Sequence, residues 1–155
     1  MSESNASFSI SSSDLPRYIV DRYPYLLIDR VDNVIPGKSA IGFKNLTWNE
    51  WFFPVHYQDD PCMPGFLIAE SITEMCTIPV LTLPENAGKS VYLVGSKNFR
   101  LFGKVIPGDK LDIFTEIISI RHGIINGKGA AKVNDKLIGS IEMTFVLTDY
   151  EIGMH

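Results

Sequence analysis

The stretch from Val55 to Glu74 constrains the fold more than any other, because it begins as a polar loop and ends as an apolar helix carrying two carboxylates. Pro64-Gly65 marks the junction, since proline has a fixed φ and no N–H to lose and so suits a first helical turn. From there on, Phe66, Leu67, Ile68, Ala69, Ile72, Met75, Cys76 and Ile78 place apolar groups on nearly every side. A helix that is apolar all round is a buried helix, so the rest of the chain has to cover it. At about 100° per residue, Phe66, Glu70, Glu74 and Thr77 share one face. A carboxylate in such a helix needs a partner, a proton or a chemical role.

The flanking pattern says what does the covering. Asp14-Leu15-Pro16 predicts an N-capped helical turn through Ile19, Leu26 to Ile35 a strand, Pro36-Gly37-Lys38 a turn, and Ser39 to Leu46 the returning strand of a hairpin. Asn49 to Phe53 reads as one turn of helix. Pro79 removes the helical bond to Met75, which predicts a kink or a stop there. Beyond Gly88 the pattern is strands only: Ser90 to Phe102, Lys110 to Arg121, Gly123 to Val133 and Leu137 to Leu147, the last two joined by the tight turn Asn134-Asp135-Lys136. Hairpin, helix, then a run of strands is an α+β plan, one antiparallel sheet with a central helix. A single sheet leaves an edge open, and pairing two edges across a homodimer closes it. The expected domain spans 14–148, between a flexible Ser-rich tail at 1–13 and a short C-terminal tail at 149–155.

Composition narrows the class. A chain of 155 residues with 45% apolar content is one ordinary domain with a packed core. Its net charge of −4 argues against broad nucleic-acid binding, and no apolar run reaches membrane-spanning length. The first thirteen residues lack Lys and Arg, and so resemble neither a secretory signal nor a transit peptide. Cys62 and Cys76 have no metal-like spacing and read as two buried thiols of a cytoplasmic protein.

The central stretch also carries chemistry. His56 is a base near neutral pH. Glu70, on an apolar helix, is expected to have a raised pKa and to hold a proton it can donate. The amide of Gly65, with Phe66 beside it, stands at a helix start, where unpaired N–H groups favour a developing oxyanion. Base, acid and oxyanion donor together suit proton abstraction next to a carbonyl with loss of a β-leaving group. The plainer alternative is a surface histidine and a glutamate satisfied by Arg or Lys. Glu74 is one turn from Glu70, so its charge is expected to help keep Glu70 protonated, unless it pairs with a basic residue. His56, Asp59 and Asp60 are the one candidate metal cluster; with no second histidine nearby they read as solvated, so neither metal nor cofactor is expected. Phe66, Phe99 and Phe102 are candidates for an acyl tunnel, against the default of core packing. Lys97, Arg100 and Lys104 put positive charge near one strand, a plain solvated face or a docking patch for an acidic partner.

The ordered set Arg22-Tyr23-Pro24-Tyr25-Leu26-Leu27-Ile28-Asp29-Arg30-Val31, Ile35-Pro36-Gly37-Lys38, Asn49-Glu50 with Phe52-Phe53, His56 with Pro61, Met63-Pro64-Gly65, Leu67-Ile68 and Glu70, then Phe99-Arg100 and Val105-Ile106-Pro107-Gly108-Asp109 resembles the FabZ-type 3-hydroxyacyl-[acyl-carrier-protein] dehydratases. The resemblance covers about Asp14 to Leu147. It implies the hot-dog fold and a homodimer or trimer of dimers, with His56 from one subunit and Glu70 from the other at each site. It implies removal of water from a (3R)-3-hydroxyacyl thioester on acyl carrier protein, giving the trans-2-enoyl thioester. Glu at position 70, where the related FabA-type isomerising enzymes usually carry Asp, implies the non-isomerising branch. Three departures stand beside the catalytic pair: Val55 for the family's Gly, Tyr57-Gln58-Asp59 for its Phe-Pro-Gly, and Glu74 for its Gln. They leave two rival readings, a hot-dog thioesterase or coenzyme A hydratase, and a non-catalytic acyl-binding subunit.

Overall fold

The computed structural model describes residues 6–148. Seven antiparallel strands form one sheet in the order β1-β2-β3-β5-β6-β7-β4, where β1 is Phe8–Ile10, β2 Arg30–Ile35, β3 Ser39–Asn45, β4 Ser90–Leu101, β5 Lys110–Arg121, β6 Ile124–Val133 and β7 Lys136–Thr148. Among the described residues there is one α-helix, α1 (Gly65–Leu81), and it lies against β2 through β7. This is the hot-dog architecture expected from the sequence.

The helix is buried because apolar residues lie on nearly every side of it. Every position from Ser71 to Val80 is buried, including Glu74. Ile68, Ile72, Met75, Cys76 and Ile78 meet Ile113, Ile125, Ala131, Ile141, Met143 and Phe145 in one continuous core. Two glycines of β6 set how close helix and sheet come. A Cβ at Gly127 would stand 2.5 Å from the Cys76 sulfur, and one at Gly129 would stand 2.3 Å from Cγ2 of Ile72. Any side chain at either position would push the helix off the sheet.

Pro79 does not end the helix, which continues to Leu81. The carbonyl that the missing N–H would have served, that of Met75, lies 3.5 Å from the Thr115 hydroxyl, and the carbonyl of Pro79 accepts the N–H of Gly37 at 2.7 Å. Tertiary partners thus take over from the interrupted ladder.

Other boundaries moved for similar reasons. The strand expected from Leu26 begins at Arg30, because the N–H of Leu27 is bonded to the Glu74 carboxyl instead of a neighbouring strand. The helical turn expected at Asn49 to Phe53 forms at Phe53–Val55 as 3-10 helix. At the first turn, Leu15–Arg17, Asp14 makes no side-chain cap; its carboxylate accepts from the Ser11 hydroxyl at 2.9 Å and pairs with Arg17. The expectation of a flexible tail over 1–13 is corrected at Phe8–Ile10. These residues pair with β2, and Ile10 is buried in the core. Serines on both sides mask that short alternation in the sequence. The C-terminal tail at 149–155 lies outside the described residues.

The turn at Asn134-Asp135 is as expected, with both residues at positive φ joining β6 to β7. The two edges of the sheet differ in kind. β1 is three residues long, while β4 is twelve and is paired on one side only, to β7. Along β4, Tyr92, Leu93, Val94 and Leu101 are exposed.

Candidate active site

The loop before α1 holds His56. It follows directly on the Phe53–Val55 turn, whose Phe53 is buried in the core and anchors the approach. Nδ1 of His56 lies 2.8 Å from the carbonyl oxygen of Cys62. A carbonyl only accepts, so Nδ1 is the donor, and in the neutral imidazole the lone pair is on Nε2. That tautomer is the one a general base requires. The Tyr57 ring is 4.5 Å from the imidazole, and Tyr57 adopts a left-handed φ of 49°. The loop is closed by the N–H of Asp60 to the Tyr57 carbonyl (3.0 Å), by Met63 N–H to the Val105 carbonyl (2.8 Å) and by an ion pair of Asp60 with Lys104. A positive φ and these three closures replace the Pro and Gly that the family's loop usually has. Val55, with 73% of its surface exposed, adds bulk on the outside of the loop without entering the core.

Pro64 occupies the N-cap position of α1 and its carbonyl accepts the N–H groups of Leu67 (2.9 Å) and Ile68 (3.1 Å). The N–H groups of Gly65 and Phe66 open the helix ahead of any carbonyl that could serve them within it. Glycine at 65 leaves room for Leu101 of β4: a Cβ there would stand 2.4 Å from its Cδ1, an exposed methyl that could swing aside. The Phe66 ring projects outward, 82% exposed, with the Phe99 ring 5.9 Å away. Phe102 is also exposed.

One turn further along the helix, Glu70 is half-buried. Its pKa is raised, first by burial and then by the nearby Asp21 carboxylate; a hydrogen bond with the Tyr25 hydroxyl works the other way. Glu74 is buried more deeply. Its Oε2 accepts the N–H of Leu27 at 2.7 Å, while its Oε1 has no partner. Burial pushes its pKa up to about 9, against the lowering effect of the Leu27 bond, so Glu74 is neutral at pH 7. A neutral neighbour presses on nothing. The charge that acts on Glu70 is therefore that of Asp21, where the sequence pattern pointed to Glu74. Asp21 and Tyr25 escaped the sequence reading because both sit in an irregular loop with no periodicity to place them against α1.

Within one protomer, and among the described residues, His56 and Glu70 share neither hydrogen bond nor ion pair. A groove of about 960 Å³ runs over the sheet past Ile41, Phe114, Lys128 and Glu142, and includes neither residue. The three basic residues separate as well. Lys97 and Arg100 sit opposite Glu142 and Ser140, two residues apart on β7, so the bulge between them turns both to one face. Lys104 is committed to Asp60.

Comparisons with known proteins place the chain in a family. A family model described as the FabA-like domain matches residues 19–142. The 3-hydroxyacyl-[acyl-carrier-protein] dehydratase FabZ of Clostridium tetani is 42% identical over 134 residues, 86% of this chain and 94% of that protein. The FabZ of Bacillus subtilis is 39% identical over 138 residues, 89% of this chain and 98% of its own length. Among solved structures, the dehydratase heterocomplex ApeI:P from Xenorhabdus doucetiae superposes with a TM-score of 0.73 at 16% identity, over 86% of this chain and 90% of that one; at that identity the likeness speaks for the fold alone. With the family match spanning most of the described domain and the relatives aligned over nearly their whole length, the chain belongs to the FabA-like domain family, on the branch of the FabZ dehydratases.

Proposed function

We propose that this chain is a dehydratase of (3R)-3-hydroxyacyl thioesters carried on acyl carrier protein, serving fatty-acid or related acyl synthesis in the cytoplasm. The observation that carries this reading is the pairing of opposite proton habits: His56 holds its proton on Nδ1 and offers Nε2, while Glu70 is pushed toward its protonated form. Nε2 takes the proton from C2 of the acyl chain. The C–H electrons form the C2=C3 double bond, the C3–O bond breaks, and the departing hydroxyl leaves as water with the proton of Glu70. In this reading the N–H groups of Gly65 and Phe66 receive the negative charge developing on the thioester oxygen. At the end His56 is an imidazolium and Glu70 a carboxylate, and solvent exchange resets both. None of these steps calls on a cofactor.

The site is completed by a second subunit in this reading. The long, apolar, one-sided β4 fits edge-to-edge pairing in a homodimer, and such dimers can in turn assemble as a trimer. Pairing there brings the partner subunit's His56 to Glu70. The exposed Phe66, Leu101 and Phe102 then line the acyl path and the interface instead of facing water. Cys62 and Cys76, both free thiols, suit a reducing compartment.

The deciding experiment incubates the protein with a 3-hydroxyacyl and, separately, an enoyl thioester of acyl carrier protein and weighs the products. Interconversion by the mass of one water is expected. Release of free acid and a free carrier thiol would instead identify a thioesterase, and unchanged substrates a binding subunit.

A further inference from the structure

The face of the sheet turned away from α1 carries an ordered charge pattern. Alternation along each strand decides what stands there. On β5, Leu111, Ile113 and Thr115 are buried, with the Thr115 hydroxyl against the helix, so Asp112, Phe114 and Glu116 point outward. On β6, a Cβ at Gly129 would meet Ile72 of the helix and Ala131 is buried, so Lys128, Ala130 and Lys132 point outward. The register sets these residues side by side: Asp112 next to Lys132, Phe114 next to Ala130, and Glu116 next to Lys128. The outward stripe of β5 is therefore acid, ring, acid, and that of β6 is base, methyl, base.

Phe114, Glu116, Lys128 and Ala130 line the groove of about 960 Å³, with Ile41 of β3 beside Phe114. More than a third of the surface of Ile41 and of Phe114 is open. The charges are only loosely engaged within the protomer. Glu116 and Lys128 pair at 3.6 Å with more than half of each side chain exposed, Asp112 pairs with Lys110 at 3.3 Å, and the Lys132 ammonium stands 5.2 Å over the Phe114 ring. Exposed pairs of this kind contribute little to stability, which leaves their charge available to a partner.

We propose that this outer face docks a second copy of the chain, with β5 of each copy lying over β6 of the other. The contact is separate from edge pairing at β4.

The pattern is its own complement. A two-fold axis that runs between β5 and β6, parallel to both, carries the second copy's β6 over β5. Glu116 then meets the second copy's Lys128, and Asp112 meets its Lys132. Each meeting occurs twice, which makes four acid–base contacts around the axis. Phe114 meets the second copy's Ala130, a large side chain against a small one, as close packing requires. Stacked sheets lie about 10 Å apart with their strands within about 30° of each other, so positions next to the axis keep their partners in spite of the twist. A slip that put β5 over β5 would set acid against acid and ring against ring, so charge fixes the register. A partner of uniform charge, such as a nucleic acid, is repelled by one stripe or the other.

The test measures the particle mass of the full chain at micromolar concentration, by sedimentation and native mass spectrometry. It compares the parent with Glu116→Lys, with Lys128→Glu and with the double variant that carries both changes. Either single change gathers four like charges around the axis and is expected to weaken self-association at least about tenfold. The parent is then at least twice the mass of either single variant. The double variant exchanges the signs and is expected to regain the parent's mass. An equimolar mixture of the two single variants is expected to reach that mass as well, because a copy with two bases then faces a copy with two acids. Circular dichroism checks that each variant is folded. A parent no heavier than the folded single variants overturns the proposal, and so does a double variant or a mixture that stays at the single variants' mass. The readout is mass alone, so it stands whether or not the dehydratase reading holds.

Discussion

The backbone N–H of Leu27 donates to Oε2 of Glu74 at 2.7 Å, joining the loop before β2 to the buried face of the central helix across 47 positions of sequence. This bond seats the segment that carries Asp21 and Tyr25. It also determines what Glu74 can be, since the second carboxyl oxygen is enclosed without a partner and the group stays protonated.

Glu74→Gln is expected to stabilise the protein at neutral and mildly alkaline pH. The folded-state pKa, about 9, lies above the ordinary 4.5, so the native state binds the extra proton and stability falls as pH rises between these values. Gln has no proton to lose. The variant's melting temperature should exceed the parent's by about 2 °C or more at pH 8, with the difference vanishing near pH 4. Thermal melts across this range measure it. The basic limb of the pH–rate profile should stay where it is, because a carboxyl that is already neutral exerts no charge on Glu70.

Asp21→Asn should do what Glu74→Gln does not. Removing the Asp21 carboxylate removes the charge that raises Glu70. Glu70 then gives up its proton more easily, and the basic limb moves to lower pH. A pH–rate profile with an unmoved basic limb in this variant would show that burial alone holds the proton on Glu70.

His56→Ala and Glu70→Gln should each cut turnover about a hundredfold or more, the usual range for general acid–base groups. If each site takes its histidine from one subunit and its glutamate from the other, mixing the two inactive proteins under subunit exchange restores one intact site in each mixed dimer. Activity that stays absent after exchange has been demonstrated by mass would place both groups in one subunit.

Reversing charge at Lys97 and Arg100 should weaken use of carrier-bound substrate and reduce its salt sensitivity, and should spare a short thioester without the carrier. Lys104→Glu should behave differently. It breaks the pair with Asp60 that closes the His56 loop, so activity on both substrates should fall. Paired kinetic assays on the two substrates separate the cases.

The fold was legible where one physical signal dominated. An all-round apolar helix had to be buried, and the only material left to cover it was strands, which returned one antiparallel sheet. Lys110–Arg121 formed with the expected bounds because turn residues bracket a β-branched run. Phe8–Ile10 was missed because three residues between serines carry too little alternation to read, and Pro79 misled because the sequence does not reveal that Gly37 and Thr115 come to serve the interrupted helix.

The sequence by itself determined the central helix and the antiparallel sheet and singled out His56, Glu70 and Gly65 as candidates, since periodicity and residue chemistry are local properties. Only the tertiary structure decided the protonation states. His56 owes its tautomer to the carbonyl of Cys62, Glu70 is set between Asp21 and Tyr25, and Glu74 is kept neutral by an enclosure that gives it one donor and no ion pair. A proton's position depends on the dielectric and on partners brought from distant parts of the chain, and those exist only once the loop at 16–29 has been laid against the helix.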